Sequence, residues 1–348
     1  MNTTDSIKVL IADDSAFMRL LIQQIITTDP TIEVVGKAND GHTAYLKTEA
    51  LRPDVVLMDL TMGDYDGRYG VAQIMEHCPT PIIMLSAMGN VDMAPILETL
   101  ALGAIGYVNK PANNRINMQE VKQVLLDKIK MASRVELTEV STQPTIHNNF
   151  KHSFDANSLA YDCIVIGAST GGPRAIEHIL TQLPENLAVP VFIVQHIPAS
   201  FAKSFAARLN GLTPLEVQLA TIGESPQTGG VYIASGQGNL IVKRKGKRVY
   251  FKETEEQSLH YNNPSVDMLM LSVAKIYKNR AIGCVLTGMG RDGAVGLKAI
   301  QSAGGYTLAQ NEASCIVFGM PKAAQNIGAA TKMVHLNDIA GFLVSCLS

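Results

Sequence analysis

Short apolar runs alternating with helical patterns occur twice over in this chain, and that alternation leaves little choice of fold. From Ile7 to about Arg134 the runs are IKVLIA (7–12), IEVVGKA (32–38), DVVLMD (54–59), PIIMLSA (81–87) and IGYVNK (105–110). Each is short, lacks clean in-out alternation and is separated from the next by a helical stretch, which predicts five βα units around a parallel sheet buried on both faces. From Tyr161 a second series begins. YDCIVIG, VPVFIVQH, AIGCVLTG, YTLAQN and KMVHL read as strands, with helices such as 173–183 and 294–303 between them. One segment breaks the pattern: VYIA (231–234), then LIVKR and RVYFKE on either side of KGK, reads as antiparallel strands with a glycine turn. The expected class is α/β throughout, the second half doubly wound and mainly parallel with an antiparallel hairpin.

Between the two series, residues 135–160 are polar and show no period, which predicts a linker between a domain at 1–134 and another at 161–348. A chain of 348 residues exceeds one ordinary core, so two domains also follow from length. His147 and His152 fall in the linker and read as solvated. A net charge of −2, with no basic stripe carrying interleaved aromatics, argues against nucleic acid as a partner. The N-terminus lacks a basic region followed by an apolar one, and no apolar stretch approaches a membrane span. A cytoplasmic monomer without membrane insertion is expected. The five cysteines (Cys78, Cys163, Cys284, Cys315, Cys346) show no CxxC spacing and lie mostly in apolar runs, as buried thiols do.

In the first half, Asp13 and Asp14 stand where the first strand ends and Asp59 where the third ends. Open α/β sheets gather their sites at the carboxyl ends of strands, so the three should lie together. Like charges that close need a cation or a raised pKa, and a hard divalent ion such as Mg²⁺ suits a carboxylate cluster. Ser86 and Lys110 end the fourth and fifth strands at the same edge, placed to hold the oxygens of a phosphoryl group carried by Asp59. Taken singly, Asp13 or Asp14 reads equally as a helix cap, Ser86 as a turn residue and Lys110 as a solvated charge. Together, over residues 6–130, the set resembles the response-regulator receiver family. The resemblance implies a flavodoxin-like (βα)5 fold, phosphorylation of Asp59 by a histidine kinase, Mg²⁺ bound with Asp13 and Asp14, Tyr107 as the switch aromatic and a cis Lys110–Pro111 bond. One departure is Gly63, where the family usually has proline, and it predicts a looser loop.

In the second half, CIVIGASTGGPRAI (163–176) runs from an apolar strand through a glycine turn into an amphipathic helix. Such a turn is either a phosphate cradle or a platform exposing a nucleophile. Gly167-Ala-Ser169-Thr-Gly171 satisfies G-x-S-x-G, which lifts a serine Oγ above a sheet; helix N–H groups nearby could support an oxyanion, and the Thr170 backbone N–H is a candidate for that role. Against a dinucleotide cradle, the third glycine would fall at Pro173, and the next strand ends in His196 where a ribose-binding acid belongs. No tyrosine begins Y-x-x-x-K. His196 at the neighbouring strand end is within reach of Ser169 as a general base. Asp292, in LTGMGRDGA, reads alone as a helix cap; beside His196 it can orient the imidazole.

IGASTGGP, VQHIP, NNPSVD (262–267), LTGMGRDGA and AQNEASCIVFGMP (309–321) together resemble the catalytic domain of the chemotaxis methylesterase family. The resemblance places Ser169, His196 and Asp292 on the triad and the Met289 N–H at the oxyanion. It implies a serine esterase, needing no cofactor, that demethylates glutamate methyl esters and deamidates glutamines on methyl-accepting chemotaxis receptors. It also implies that the unphosphorylated receiver occludes the cleft. Asn263 departs from an arginine common in the family. Two other readings remain open: a phosphorylation-dependent adaptor without catalysis, and a nicotinamide oxidoreductase fused to a receiver.

Overall fold

A computed structural model of the chain describes residues 6–86, 94–110, 115–135, 159–256 and 262–347. Residues 1–141 and 142–348 form two compact units. The predicted linker, with His147 and His152, lies outside the described residues apart from its ends, and so does Pro111.

In the first unit, β1 (Ile7–Ala12), β2 (Ile32–Ala38), β3 (Val55–Asp59), β4 (Ile82–Ser86) and β5 (Gly106–Asn109) pair in parallel in the order β2-β1-β3-β4-β5. The helices are α1 (Ala16–Ile26), α2 (Gly41–Leu51), α3 (Gly67–His77), α4 (Ala94–Leu102) and α5 (Arg115–Ala132). Every residue of β3 and β4 is buried, which is why those runs show no alternation. Ser15, Asp40 and Asp66 cap α1, α2 and α3 by accepting from the amides of Met18, Thr43 and Tyr69. The order reverses between β1 and β3, so the loops after those strands diverge and open a crevice at their carboxyl ends.

The second unit holds β6 (Cys163–Ala168), β7 (Val191–Gln195), β8 (Val217–Leu219) and β9 (Val231–Ile233). The chain then forms β10 (Asn239–Lys245) and β11 (Arg248–Thr254), followed by β12 (Ala281–Val285), β13 (Tyr306–Gln310) and β14 (Lys332–Val334). Seven strands make one sheet, β14-β13-β12-β6-β7-β9-β8, parallel at every pairing. Its helices are α6 (Gly172–Leu180), α7 (Ala199–Leu212), α8 (Val266–Tyr277), α9 (Ala294–Ser302), α10 (Met320–Asn326) and α11 (Leu336–Leu347). α7 and α11 pack on α6, and α8 and α10 on α9. Strand order reverses at β6 and β12, so right-handed crossovers send the two helix sets to opposite faces.

The sequence reading needs three corrections here. VYIA joins the main sheet as parallel β9, and only β10 and β11 form the antiparallel pair. Three residues long and paired between β7 and β8, β9 is too short to show a period of its own. β8 has no counterpart in the sequence reading, for the same reason. The helix expected over 173–183 stops at Leu180, while Leu183 stays buried beyond it. The hairpin is held to the sheet by Phe251, whose ring meets Phe192 edge-on at 5.6 Å and Tyr232 at 4.9 Å.

Candidate active site

Ladder geometry brings the serine and histidine together. Ala168 and Gln195 are the last partners of β6 and β7, and the His196 N–H continues the ladder to the Ala168 carbonyl at 3.0 Å. Ser169 and His196 therefore leave adjacent strands side by side, about 5 Å apart along the backbone. On the other flank of β6, Leu286 N–H bonds the Gly167 carbonyl at 2.8 Å and Ser169 N–H bonds the Thr287 carbonyl at 3.0 Å. The loop after β12 thus runs beside the serine. A Cβ on Gly288 would stand 2.7 Å from the Ser169 Cβ, so only glycine allows that approach. Gln195, wholly buried, donates from Nε2 to the Ser169 carbonyl at 2.9 Å and so braces the turn from the β7 side.

Asp292 does not cap α9; Gly293 holds that position. Its carboxylate turns inward instead. Oδ2 meets His196 Nε2 at 2.8 Å and accepts from Val266 N–H at 2.8 Å, while Oδ1 accepts from Ser265 Oγ at 3.0 Å and Asp267 N–H at 2.9 Å. Two of those donors are the first backbone amides of α8, where unpaired N–H groups and the helix dipole favour an anion. Burial alone would push the Asp292 carboxyl up. The hydrogen bond and charge of His196, with the Asp267 and Val266 amides, outweigh it and hold the carboxyl well below the usual range. An ionised carboxylate only accepts, so imidazole Nε2 is the donor in this contact, and whenever the ring is neutral Nδ1 is the nitrogen that can take a proton. The Ser169 hydroxyl makes no hydrogen bond among the described residues. Nor do the N–H groups of Thr170 and Met289 find an acceptor among them, although both lie next to Ser169 or to Gly288, which approaches it.

Ser265, Val266 and Asp267 were not singled out as site residues by sequence reasoning. A signal was present, because Pro-Ser-x-Asp ahead of an apolar run reads as a capped helix start, and such a start binds anions. Asn263 is exposed and donates to the Gln237 carbonyl at 3.2 Å, away from the carboxylate.

In the first unit the acidic pocket is assembled as expected. Oxygens of Asp13, Asp14 and Asp59 lie within 4.8 Å of one another, an all-oxygen donor set that suits Mg²⁺. Lys110 Nζ bridges Asp13 Oδ2 at 2.7 Å and Asp59 Oδ2 at 2.8 Å. Burial raises the Asp59 carboxyl, opposed by the hydrogen bond and charge of Lys110 and abetted by Asp13. Ser86 Oγ is buried with no hydrogen-bond partner among the described residues. Tyr107 is half-buried with Lys128 Nζ 5.9 Å from its ring centre, and burial lifts its hydroxyl pKa well above the ordinary value. Gly63 has φ +55, which proline cannot adopt, so the loop as it stands here could not carry a proline at that position. All five cysteines are unpaired. Among the described residues no helix is long and apolar enough to cross a membrane.

The sequence model described as CheB methylesterase matches residues 164–343, and that of the response regulator receiver domain matches residues 9–122. The protein-glutamate methylesterase/protein-glutamine glutaminase of Archaeoglobus fulgidus is 38% identical over 98% of both chains. The second such protein of Syntrophus aciditrophicus is 39% identical over 97% of this chain and 98% of its own. Among solved structures, the Thermotoga maritima CheB methylesterase catalytic domain is 36% identical, matches 54% of this chain and all of its own, and has a TM-score of 0.53.

Proposed function

The chain belongs to the CheB methylesterase family and carries a response regulator receiver domain ahead of the esterase, and from that premise we propose how its own residues hydrolyse protein glutamate methyl esters and deamidate protein glutamines. We assign 1–134 to the receiver, 135–160 to a linker and 161–348 to the catalytic domain. Ser169 Oγ attacks the ester carbonyl while His196 Nδ1 takes its proton. Asp292 stabilises the resulting imidazolium, and its four hydrogen bonds keep it from turning away. The N–H groups of Thr170 and Met289 receive the oxyanion. The imidazolium returns the proton to the departing methoxide, giving methanol. Water, activated by the same imidazole, then cleaves the acyl-enzyme to a carboxylate and restores Ser169. For a glutamine the leaving group is ammonia. No cofactor enters these steps.

In the receiver, Asp59 accepts a phosphoryl group from a histidine kinase, with Lys110 and Ser86 oriented to hold its oxygens. Mg²⁺ held by Asp13, Asp14 and Asp59 would offset the added charge. Phosphorylation of Asp59 raises the esterase activity, with Tyr107 repacking as the switch aromatic. The substrates are chemotaxis receptors, and the enzyme acts in the cytoplasm as a monomer. The observation that carries this reading is the His196–Asp292 pair standing beside a G-x-S-x-G serine with two free N–H groups. Methanol release from methylated receptor membranes tests it: Ser169→Ala should abolish release and leave phosphorylation of Asp59 intact, and retained release overturns the nucleophile.

A further inference from the structure

Five of the six residues from Lys243 to Arg248 are cations, with no acid among them, in a chain whose net charge is −2. All six form the exposed tip of the β10–β11 hairpin, a concentration that the whole-chain balance conceals. The register sets Lys245 directly opposite Arg248 and Lys243 opposite Tyr250 on the same face. Like charges facing each other across an antiparallel pair destabilise it. No acidic side chain forms an ion pair with them among the described residues. Arg248 donates to Ser225 Oγ at 2.9 Å and to the Gly223 carbonyl at 2.6 Å, both uncharged. Lys243, Arg244, Lys245 and Lys247 make no ion pair among the described residues. The tip thus carries an electrostatic cost that no ion pair among the described residues offsets.

The hairpin starts beside the active site and ends far from it. Asn239 Oδ1 accepts the N–H of Ser265, the residue that bonds Asp292, at 2.8 Å. Val242 N–H then reaches Ser272 Oγ at 3.0 Å, and the charge of Arg244 acts on Tyr277 at the end of α8. Exposed Lys275 and Lys278 add to the positive field there. Seven residues of strand carry the tip about 20 Å from the rim, the length of about four helical turns. The base of the hairpin carries Glu253, Glu255 and Glu256 against a single lysine, Lys252, so the hairpin's attraction for an anion is strongest at the tip.

We propose that this tip is a docking site for an acidic stretch of the protein substrate, lying about four helical turns from the side chain being hydrolysed. The inference rests on the methylesterase reading. Its chemistry comes from the reaction itself: each turnover converts a neutral ester or amide into a carboxylate, so the substrate is a glutamate-bearing surface that grows more anionic. Complementary charge at a remote contact speeds encounter and fixes register while leaving the acyl chemistry alone.

The test uses the full chain carrying Lys243→Gln, Lys245→Gln and Lys247→Gln, with Arg248 kept because it ties the tip to Gly223 and Ser225. The substrate is a soluble, methyl-esterified cytoplasmic receptor fragment. At low salt KM should rise about fivefold with kcat unchanged. Added salt should weaken the wild-type enzyme toward the variant. Hydrolysis of a small blocked glutamate γ-methyl ester should be equal in both. An unchanged KM for the fragment overturns the proposal. So does a variant whose only loss is binding to phosphatidylglycerol-containing vesicles, which would assign the tip to lipid headgroups. Measuring fragment affinity by anisotropy in a Ser169→Ala background separates this inference from the hydrolase reading. There, equal affinity with and without the tip lysines sinks the docking site whatever the chemistry at Ser169 proves to be.

Discussion

Asp59 and Asp292 are both buried carboxylates at the rim of a parallel sheet, yet their surroundings push them in opposite directions. Burial raises both. At Asp59 one backbone amide, Leu60 N–H, and a lysine shared with Asp13 are too little to reverse it, and Asp13 adds repulsion. At Asp292 an imidazole, a serine hydroxyl and two amides of a helix N-terminus reverse it. Exposure alone therefore does not set the charge of a buried acid; the count and kind of donors do. The first carboxylate is left short of donors, which suits the phosphoacceptor and cation-binding role proposed for it. The second is saturated, as a fixed anion orienting an imidazole needs to be.

The comparison breaks most severely at Asp292. Asp292→Asn keeps the shape but presents an amide to Nε2 and withdraws the charge, so the imidazole loses its preferred tautomer. We expect kcat to fall by roughly 10⁴, as triad carboxylate loss does elsewhere. Steady-state hydrolysis of receptor ester measures it, and a loss of less than about tenfold would remove Asp292 from the triad. The matching change, Asp59→Asn, should leave basal hydrolysis in place but abolish its acceleration by acetyl phosphate. Acceleration that persists would take the switch away from Asp59.

Much of this was legible in sequence because strand ends and motifs coincide. β1 and β2 fall on the predicted residues, and Ser169, His196 and Asp13, Asp14 and Asp59 sit at ends that the runs already marked. Asp292 was legible as a candidate but not as a choice, because a loop aspartate ahead of a helix caps it as readily as it orients a histidine. Only the approach of α8, which no local pattern encodes, decides between them. A Cβ on Gly167 would stand 2.1 Å from Val266 Cγ1, so that approach depends on a glycine some hundred residues away in sequence. β8 and β9 were misread because three residues carry no period, and a nearly neutral net charge hid the basic hairpin tip.

Ser265 sharpens the comparison, since it both caps α8 and bonds Asp292. Ser265→Ala should destabilise the fold by about 1 kcal/mol through the cap. It should also lower kcat by roughly tenfold through a less firmly held carboxylate. Thermal unfolding and kcat together read the two effects. A stability loss without a kcat loss would make Ser265 a cap only.

The smallest effect is a difference in pH response between the two rims. Asp59 has its pKa raised in the folded chain, so the native state holds the extra proton in the window just above the ordinary carboxylate range. Stability of that region falls as pH rises through the window and recovers as pH drops. Asp292 has its pKa lowered, so its contribution is complete above the unfolded value and is lost only as pH falls below the ordinary range. Native-state hydrogen exchange on the full chain, corrected for intrinsic rates, should show protection in β3 growing as pH falls from neutral through the window just above the ordinary carboxylate range, with β12 unchanged. Asp59→Asn should flatten the β3 response and raise its protection at neutral pH. If the two strands instead lose protection in parallel as pH falls, the two carboxylates are not electrostatic opposites, and the donor count does not decide their charge.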